Sequence, residues 1–228
     1  MRALHPAALR GVADHGWLKS RHTFSFGSWH DPRFMGFGVL RVINEDVVLP
    51  AMGFGTHPHR DMEIISYVVS GKLGHKDSTG GGGVIRAGEV QVMTAGTGVT
   101  HSEMNGSATE PVHFLQIWIL PAKAGTKPRY GQADFGQKPG VVRVVSPDGA
   151  DGSLAIGQDA TLDRVLLTAG DTVDLKTTRR RGWLQVVRGR VDAGGLIAGP
   201  GDAVVTVDEP TLPVSVQEDV EALWFDLP

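Results

Sequence analysis

Cysteine is absent from the 228 residues. Disulfides and thiolate metal sites are thereby excluded, so any metal must rest on nitrogen and oxygen donors. An excess of charge of either sign is also missing: 22 Lys and Arg against 25 Asp and Glu leave a formal charge of -3. Such a chain exerts no strong pull on nucleic acid. Long apolar runs are lacking too. None approaches the roughly 18 residues a membrane helix needs, and the opening MRALHPAALRGV makes a poor secretory signal. The expectation is a cytoplasmic protein with no membrane association and no direct nucleic-acid partner. The sequon Asn105-Gly106-Ser107 is then a chance match. Helical periodicity is poor throughout, and only 6–14 or 158–164 offers room for a short helix. Histidine is missing beyond His113, although the chain has nine.

Glycine is abundant, with 31 residues beside 13 prolines. They are scattered between short β-branched runs, the texture of many strands joined by tight turns. Residues 1–36 read as irregular and aromatic. From Val39 onward, apolar and polar residues alternate in ISYVVSG and FLQIWIL, as in half-buried strands. Residues 121–140, polar and rich in Pro and Gly, read as a linker. Strands then resume, and the halves echo one another. YVVSGKLGH answers to QVVRGRVDA, and RAGEVQVMTAG to GPGDAVVTVDE. Each reads as strand, glycine turn, strand, so the expected architecture is all-β, two similar barrels in tandem. The expected division is 1–135, an N-terminal metal-binding barrel with its irregular leading segment, and 136–228, a C-terminal barrel without metal.

One constellation carries chemistry. Thr56-His57-Pro58-His59 places two imidazoles at i and i+2, which on a strand face the same way. Thr100-His101-Ser102-Glu103 repeats this with one imidazole and one carboxylate. A lone H-x-H is usually an accident of a loop. Two such pairs in a β-rich chain converge four N/O donors, suited to Fe, Mn, Ni, Cu or Zn rather than Mg or Ca. The remaining histidines read more blandly. His5, His15, His22 and His30 lie in or near the irregular segment as solvated or hydrogen-bonded side chains. His75 and His113 sit on strands without a paired ligand. Gly80–Gly83 lacks the Lys-Ser/Thr of a phosphate loop and reads as a hairpin turn. Arg179–Arg181 reads as a solvated face. Phe114, Ile117 and Trp118 fill the barrel or line an apolar pocket.

The segment carrying His57, His59, Glu63 and Gly71 looks like the first cupin motif with one extra residue before the glycine. Gly88 to Asn105 looks like the second, with Thr94 and Gly96 displaced from their usual placement. Together with HGWLKSRHTFSFGSWHDPRFMGFGVLRVINED, the sequence resembles the pirin family, in particular its bacterial quercetinase-type members. The resemblance spans nearly the whole chain and is densest from His15 to Tyr130. It implies a bicupin with one divalent metal, Fe(II) foremost, on His57, His59, His101 and Glu103. It also implies dioxygen-dependent cleavage of quercetin or a related flavonol. On chemical grounds Glu103, the only ionisable acid that the motif sets beside the metal, is the expected base for the substrate's hydroxyl proton. Glu63 is left as a candidate partner of a ligand. The rival expectation is a non-catalytic regulatory module that binds metal and acts through a protein partner.

Overall fold

The computed structural model describes residues 1–228. Strands make up 60% of it and helix 3%. No helix is long and apolar enough to cross a membrane. In chain order the first strands are β1 (Arg2–His5), β2 (Gly11–Asp14), β3 (Leu18–His22), β4 (Leu40–Val48), β5 (Gly53–His59) and β6 (Glu63–Ser70). They are followed by β7 (Lys72–Asp77), β8 (Gly82–Arg86), β9 (Glu89–Thr94), β10 (Val99–Asn105), β11 (Val112–Ile119) and β12 (Arg129–Asp134). The second half carries β13 (Gly140–Ser146), β14 (Leu154–Ala155), β15 (Thr161–Leu167) and β16 (Thr172–Lys176). It ends with β17 (Arg181–Ala193), β18 (Leu196–Ala198), β19 (Ala203–Val207) and β20 (Thr211–Leu227).

Packing groups the chain into two compact units, one of 10–136 with 154–158 and the other of 1–9, 137–153 and 159–228. In the first unit two antiparallel sheets face each other. One has the order β5-β10-β7-β8 and the other β12-β9-β6-β11-β4-β3-β2. Strict alternation in β3 and β10 turns one side of each strand inward. Leu18, Val48, Val68, Leu73, Ile85, Val112 and Phe114 close one part of the interior. Each such aliphatic or aromatic side chain contributes about 1.5–3 kcal/mol on burial. Ile64, Met93, Ala95 and Val99 close another. Between these apolar clusters the interior is polar, and the candidate centre lies there.

In the second unit β1-β19-β17-β20-β15-β13 pair in that order, with β16 on β20 and β18 on β17. Its interior is apolar, built on Leu184, Val186, Val191, Val204, Val214 and Trp224. β1 brings one imidazole, His5, within 5.4 Å of the Trp183 ring.

The echo between the halves survives in detail. Glu89 accepts the backbone N–H of Arg86, and Asp202 that of Gly199, the same three-residue turn before β9 and β19. One element differs. The expected glycine turn in QVVRGRVDA is a bulge within the continuous strand β17. Gly189 has φ 77°, and a Cβ there would lie 2.0 Å from the Asp219 carbonyl oxygen, so the strand bends without breaking. Three further expectations are corrected. The linker 121–140 contains β12, which pairs with β9 from Arg129↔Thr94 to Asp134↔Glu89. Backbone pairing there overrides a polar, Gly-containing sequence. The irregular N-terminal segment holds β1, β2 and β3, whose short runs are stabilised by the sheets they extend. The expected helices shrink to a single 3-10 turn at Ala7–Leu9, while Thr161 begins a strand.

Candidate metal centre

The centre forms where β5 and β10 pair. The register sets His101 opposite His57 and Val99 opposite His59. Because i and i+2 share a face, His57, His59 and His101 all turn into the barrel. Their ring centroids stand 4.5–4.8 Å apart, a nearly equilateral triangle. His101 is buried and the other two are half-buried. A ligating nitrogen from each lies within 4.8 Å of the others.

The proton positions can be derived. The Gly55 carbonyl lies 2.8 Å from His57 Nδ1 and can only accept, so Nδ1 carries the hydrogen. A neutral His57 then presents a lone pair at Nε2, which stands 3.0 Å from His101 Nε2. If His101 also presents its Nε2 lone pair, no hydrogen lies between them, and the pair calls for a cation. Two imidazole nitrogens held at about 2.1 Å from one divalent ion, roughly at right angles, would stand about 3.0 Å apart. The observed spacing matches that value, so the donor set fits a first-row divalent ion.

Electrostatics favours the ligating forms of the imidazoles. Burial, reinforced by the neighbouring His57, pushes His59 down to about 4. Burial and the charges of His57, His59 and His75 push His101 down to about 3. Both are neutral at physiological pH and need lose no proton to bind a metal. Glu103, 1% exposed, lies beyond His101 on β10. Burial pushes its carboxyl up to about 7 against two donors, the Ser66 hydroxyl to Oε1 at 2.9 Å and the Gln116 amide to Oε2 at 2.5 Å. Ser66 and Gln116 stand on β6 and β11, so the far sheet holds the carboxylate that the near sheet supplies.

Glu103 clusters with His101 and with a residue the sequence reading set aside, His75. His75 is buried on β7, opposite Glu103 in register, with Nδ1 3.4 Å from His101 Nδ1. The signal was present: His75-Lys76-Asp77 is another same-face pair at i and i+2. Glu63 is not a partner of the centre. It faces the opposite side of β6 from Ser66 and accepts the Thr94 hydroxyl at 2.7 Å. His113 lies away from the centre, paired with Glu45. His22 is buried and bonds Asn44, with its ring 5.3 Å from Phe26. Arg179 pairs with Asp159 and Asp226, and Arg180 with Asp208 while remaining exposed, so the charge of this solvated run is largely offset.

An aromatic wall flanks the imidazoles. Trp118 meets His59 edge to face at 4.9 Å, and Phe26 meets Trp118 at 5.4 Å. A depression of about 430 Å³ opens beside His59, lined by Pro58, Arg60, Ser78, Val99 and Thr100. One of similar size, about 470 Å³, lies on the C-terminal unit among Asp174, Asp192 and Pro213, without an imidazole. Donor chemistry, not volume, marks the site.

Comparison with known proteins agrees with this architecture. The family profile described as Pirin matches residues 6–119, and that described as Quercetinase C-terminal cupin domain matches 143–227. A protein of Escherichia coli K12 named quercetin 2,3-dioxygenase is 49% identical over 226 residues, covering 99% of this chain and 98% of that protein. The crystal structure of the E. coli bacterial pirin YhhW in complex with nickel(II) superposes with a TM-score of 0.96. It is 47% identical and covers 100% of this chain and 99% of its own. With both halves matched and the β architecture in place, the fold is a tandem bicupin and the chain belongs to the pirin family.

Proposed function

We propose that His57, His59, His101 and Glu103 hold one divalent transition metal, and that the protein is a quercetinase-type dioxygenase opening a flavonol with O2. The observation that carries this reading is the convergence of three imidazoles, with the His57 and His101 Nε2 atoms 3.0 Å apart, the separation that two ligands of one cation would have. The relatives named above add that a 49%-identical protein bears a quercetin 2,3-dioxygenase name and that a 47%-identical one binds nickel(II). Iron(II) is the ion we assign first, with nickel, manganese, copper and zinc compatible with the same donors.

When bound, the metal supplies Lewis-acid polarisation of the substrate's enolic oxygen and the coupling to dioxygen that side chains lack. The protein does the rest. His59, Trp118 and Phe26 present an apolar, aromatic surface that orients flat rings beside the centre. Glu103 takes the flavonol hydroxyl proton at Oε1. The Ser66 hydroxyl that donates to Oε1 has a second acceptor, Gln116 Oε1, at 3.2 Å. Ser66 can therefore turn away when Oε1 is protonated, and Gln116 continues to hold Oε2. Burial raises the carboxyl to about 7 in the metal-free protein; a bound cation lowers its basicity, so the proton transfer to Glu103 also needs the flavonol hydroxyl to be made more acidic by its own contact with the metal.

The test is oxygen uptake with quercetin after reconstitution with each candidate ion in turn. Uptake proportional to bound metal is expected. Protein that holds metal and consumes no oxygen with any of the ions would overturn the enzymatic reading in favour of a binding module.

A further inference from the structure

β7 alternates Leu73, His75 and Asp77 inward, with Lys72 and Lys76 outside. At its end the chain turns back on Asp77. Asp77 Oδ1 accepts the Thr79 N–H and the Thr79 hydroxyl at 2.7 Å each, and the Gly81 N–H at 3.0 Å. Three donors on one oxygen leave Oδ2 to face His75 Nε2 at 3.1 Å, with both side chains wholly buried. Gly81 leaves room for this. A Cβ there would lie 2.4 Å from Asp77 Oδ2 and 2.8 Å from Tyr130 Cγ. The Tyr130 ring stacks on His75 at 4.9 Å and 25°. His75 is thus held by hydrogen bond and by ring plane, and its remaining nitrogen, Nδ1, faces His101 Nδ1 at 3.4 Å.

We propose that Asp77 and His75 are positioning residues for the metal centre: the hydrogen-bonded relay Asp77–His75–His101 fixes the tautomer of His101, so that its Nε2 lone pair faces His57 and His59. The proton order follows from the end of the chain. A carboxylate can only accept, so His75 carries its hydrogen on Nε2. Neutral His75 then has a lone pair at Nδ1. Only one hydrogen fits between the two Nδ1 atoms, and it must come from His101. His101 is left with a bare Nε2. The opposite order would place an N–H at Nε2, aimed at His57 Nε2, and would block ligation. His57 reaches the same state through the Gly55 carbonyl, a shorter route to the same end. Groups that orient a ligand in this way typically change metal affinity 10–100-fold when removed.

This inference rests on the reading of His101 as a ligand through Nε2, and the test separates the two. Asp77→Asn is nearly isosteric. The three donors that hold Oδ1 should keep the amide oxygen there and place the amide N–H₂ against His75 Nε2. His75 must then accept at Nε2 and donate from Nδ1, which forces His101 to carry its proton on Nε2. Nitrogen-15 NMR of metal-free protein reads both tautomers directly, and calorimetric titration with nickel(II) reads the affinity. Wild type should show His101 protonated on Nδ1. Asp77→Asn should show it on Nε2, with nickel affinity roughly 10–100-fold lower. His75→Phe should weaken nickel similarly, and His75→Asn, whose amide oxygen can replace the Nδ1 acceptor, should recover most of the loss. The relay is overturned if wild-type His101 carries its proton on Nε2, if Asp77→Asn leaves it on Nδ1, or if Asp77→Asn binds nickel as wild type does. If His101→Ala binds nickel normally, the metal-site reading falls, while the tautomers of the metal-free protein still decide the relay.

Discussion

Removing one hydroxyl, in Ser66→Ala, should cost the protein much of its grip on the metal while leaving the fold nearly untouched. Ser66 is 0% exposed, and its hydroxyl lies 2.9 Å from Glu103 Oε1. A hydrogen bond to a charged group contributes about 1.5–3 kcal/mol. The two states of the protein feel its loss unequally. Without metal, the Glu103 carboxyl is raised to about 7 by burial, so near neutrality it can escape the penalty by taking up a proton. With metal, the carboxylate must stay ionised, and the missing donor is felt in full. The difference between that loss and the smaller one in metal-free protein, about 0.5–2 kcal/mol, appears as affinity roughly 2- to 30-fold weaker. The metal-free protein should lose only about 1 kcal/mol, the ordinary net value of one hydrogen bond. A chelator-competition titration with nickel(II), beside urea unfolding of metal-free protein, reads both quantities. The reasoning fails if Ser66→Ala binds nickel as tightly as wild type, or if metal-free stability drops by as much as the binding energy.

Three other predictions follow from the same geometry. Glu103→Gln, compared per bound metal, should cleave quercetin at least about 10²-fold more slowly, the scale of a positioned base, whereas His57→Ala should fail mainly by emptying the site; equal rates per metal for Glu103→Gln would end the base assignment. Trp118→Ala should raise KM for quercetin about tenfold with metal content unchanged, since it removes part of the aromatic wall beside His59; an unchanged KM would place the substrate elsewhere. Burial pushes Glu45 up, but His113 and Arg10 overcome it and hold the carboxyl at about 2. A depressed carboxyl stabilises the fold above its unfolded value near 4.5 and loses that contribution as pH falls toward 2. His113→Ala should therefore flatten part of the acid limb of the stability curve between those values, by on the order of 1 kcal/mol for a partly exposed pair. An acid limb identical to wild type would contradict it.

The imidazole triangle was legible because two-residue periodicity converts a written pattern directly into a shared face. His57-x-His59 and His101-x-Glu103 needed only the strand assumption, and the register of β5 against β10 supplies the rest. His75 was passed over because only imidazole pairs and the H-x-E were weighed, whereas its partner is Asp77, a carboxylate that serves a ring rather than a metal. Glu63 misled for the opposite reason. Its motif position suggested the site, but an odd offset from Ser66 on β6 turns it away. β12 was hidden because its stabilisation comes from pairing with β9, a contact 35 residues away in sequence at Arg129↔Thr94, while its own Pro and Gly neighbours read as a linker. Ser66 and Gln116 could not be read at all as partners of Glu103. Only the closure of the second sheet over the first brings them there.

The central claim is that one divalent ion sits among His57, His59, His101 and Glu103. Anomalous diffraction at the nickel edge, from crystals of full-length protein loaded with nickel(II), tests it most directly. The account predicts one strong peak per chain, within bonding distance of the Nε2 atoms of all three histidines and of a Glu103 oxygen. A peak centred on His75 and Asp77, or a principal peak in the C-terminal unit, would contradict it.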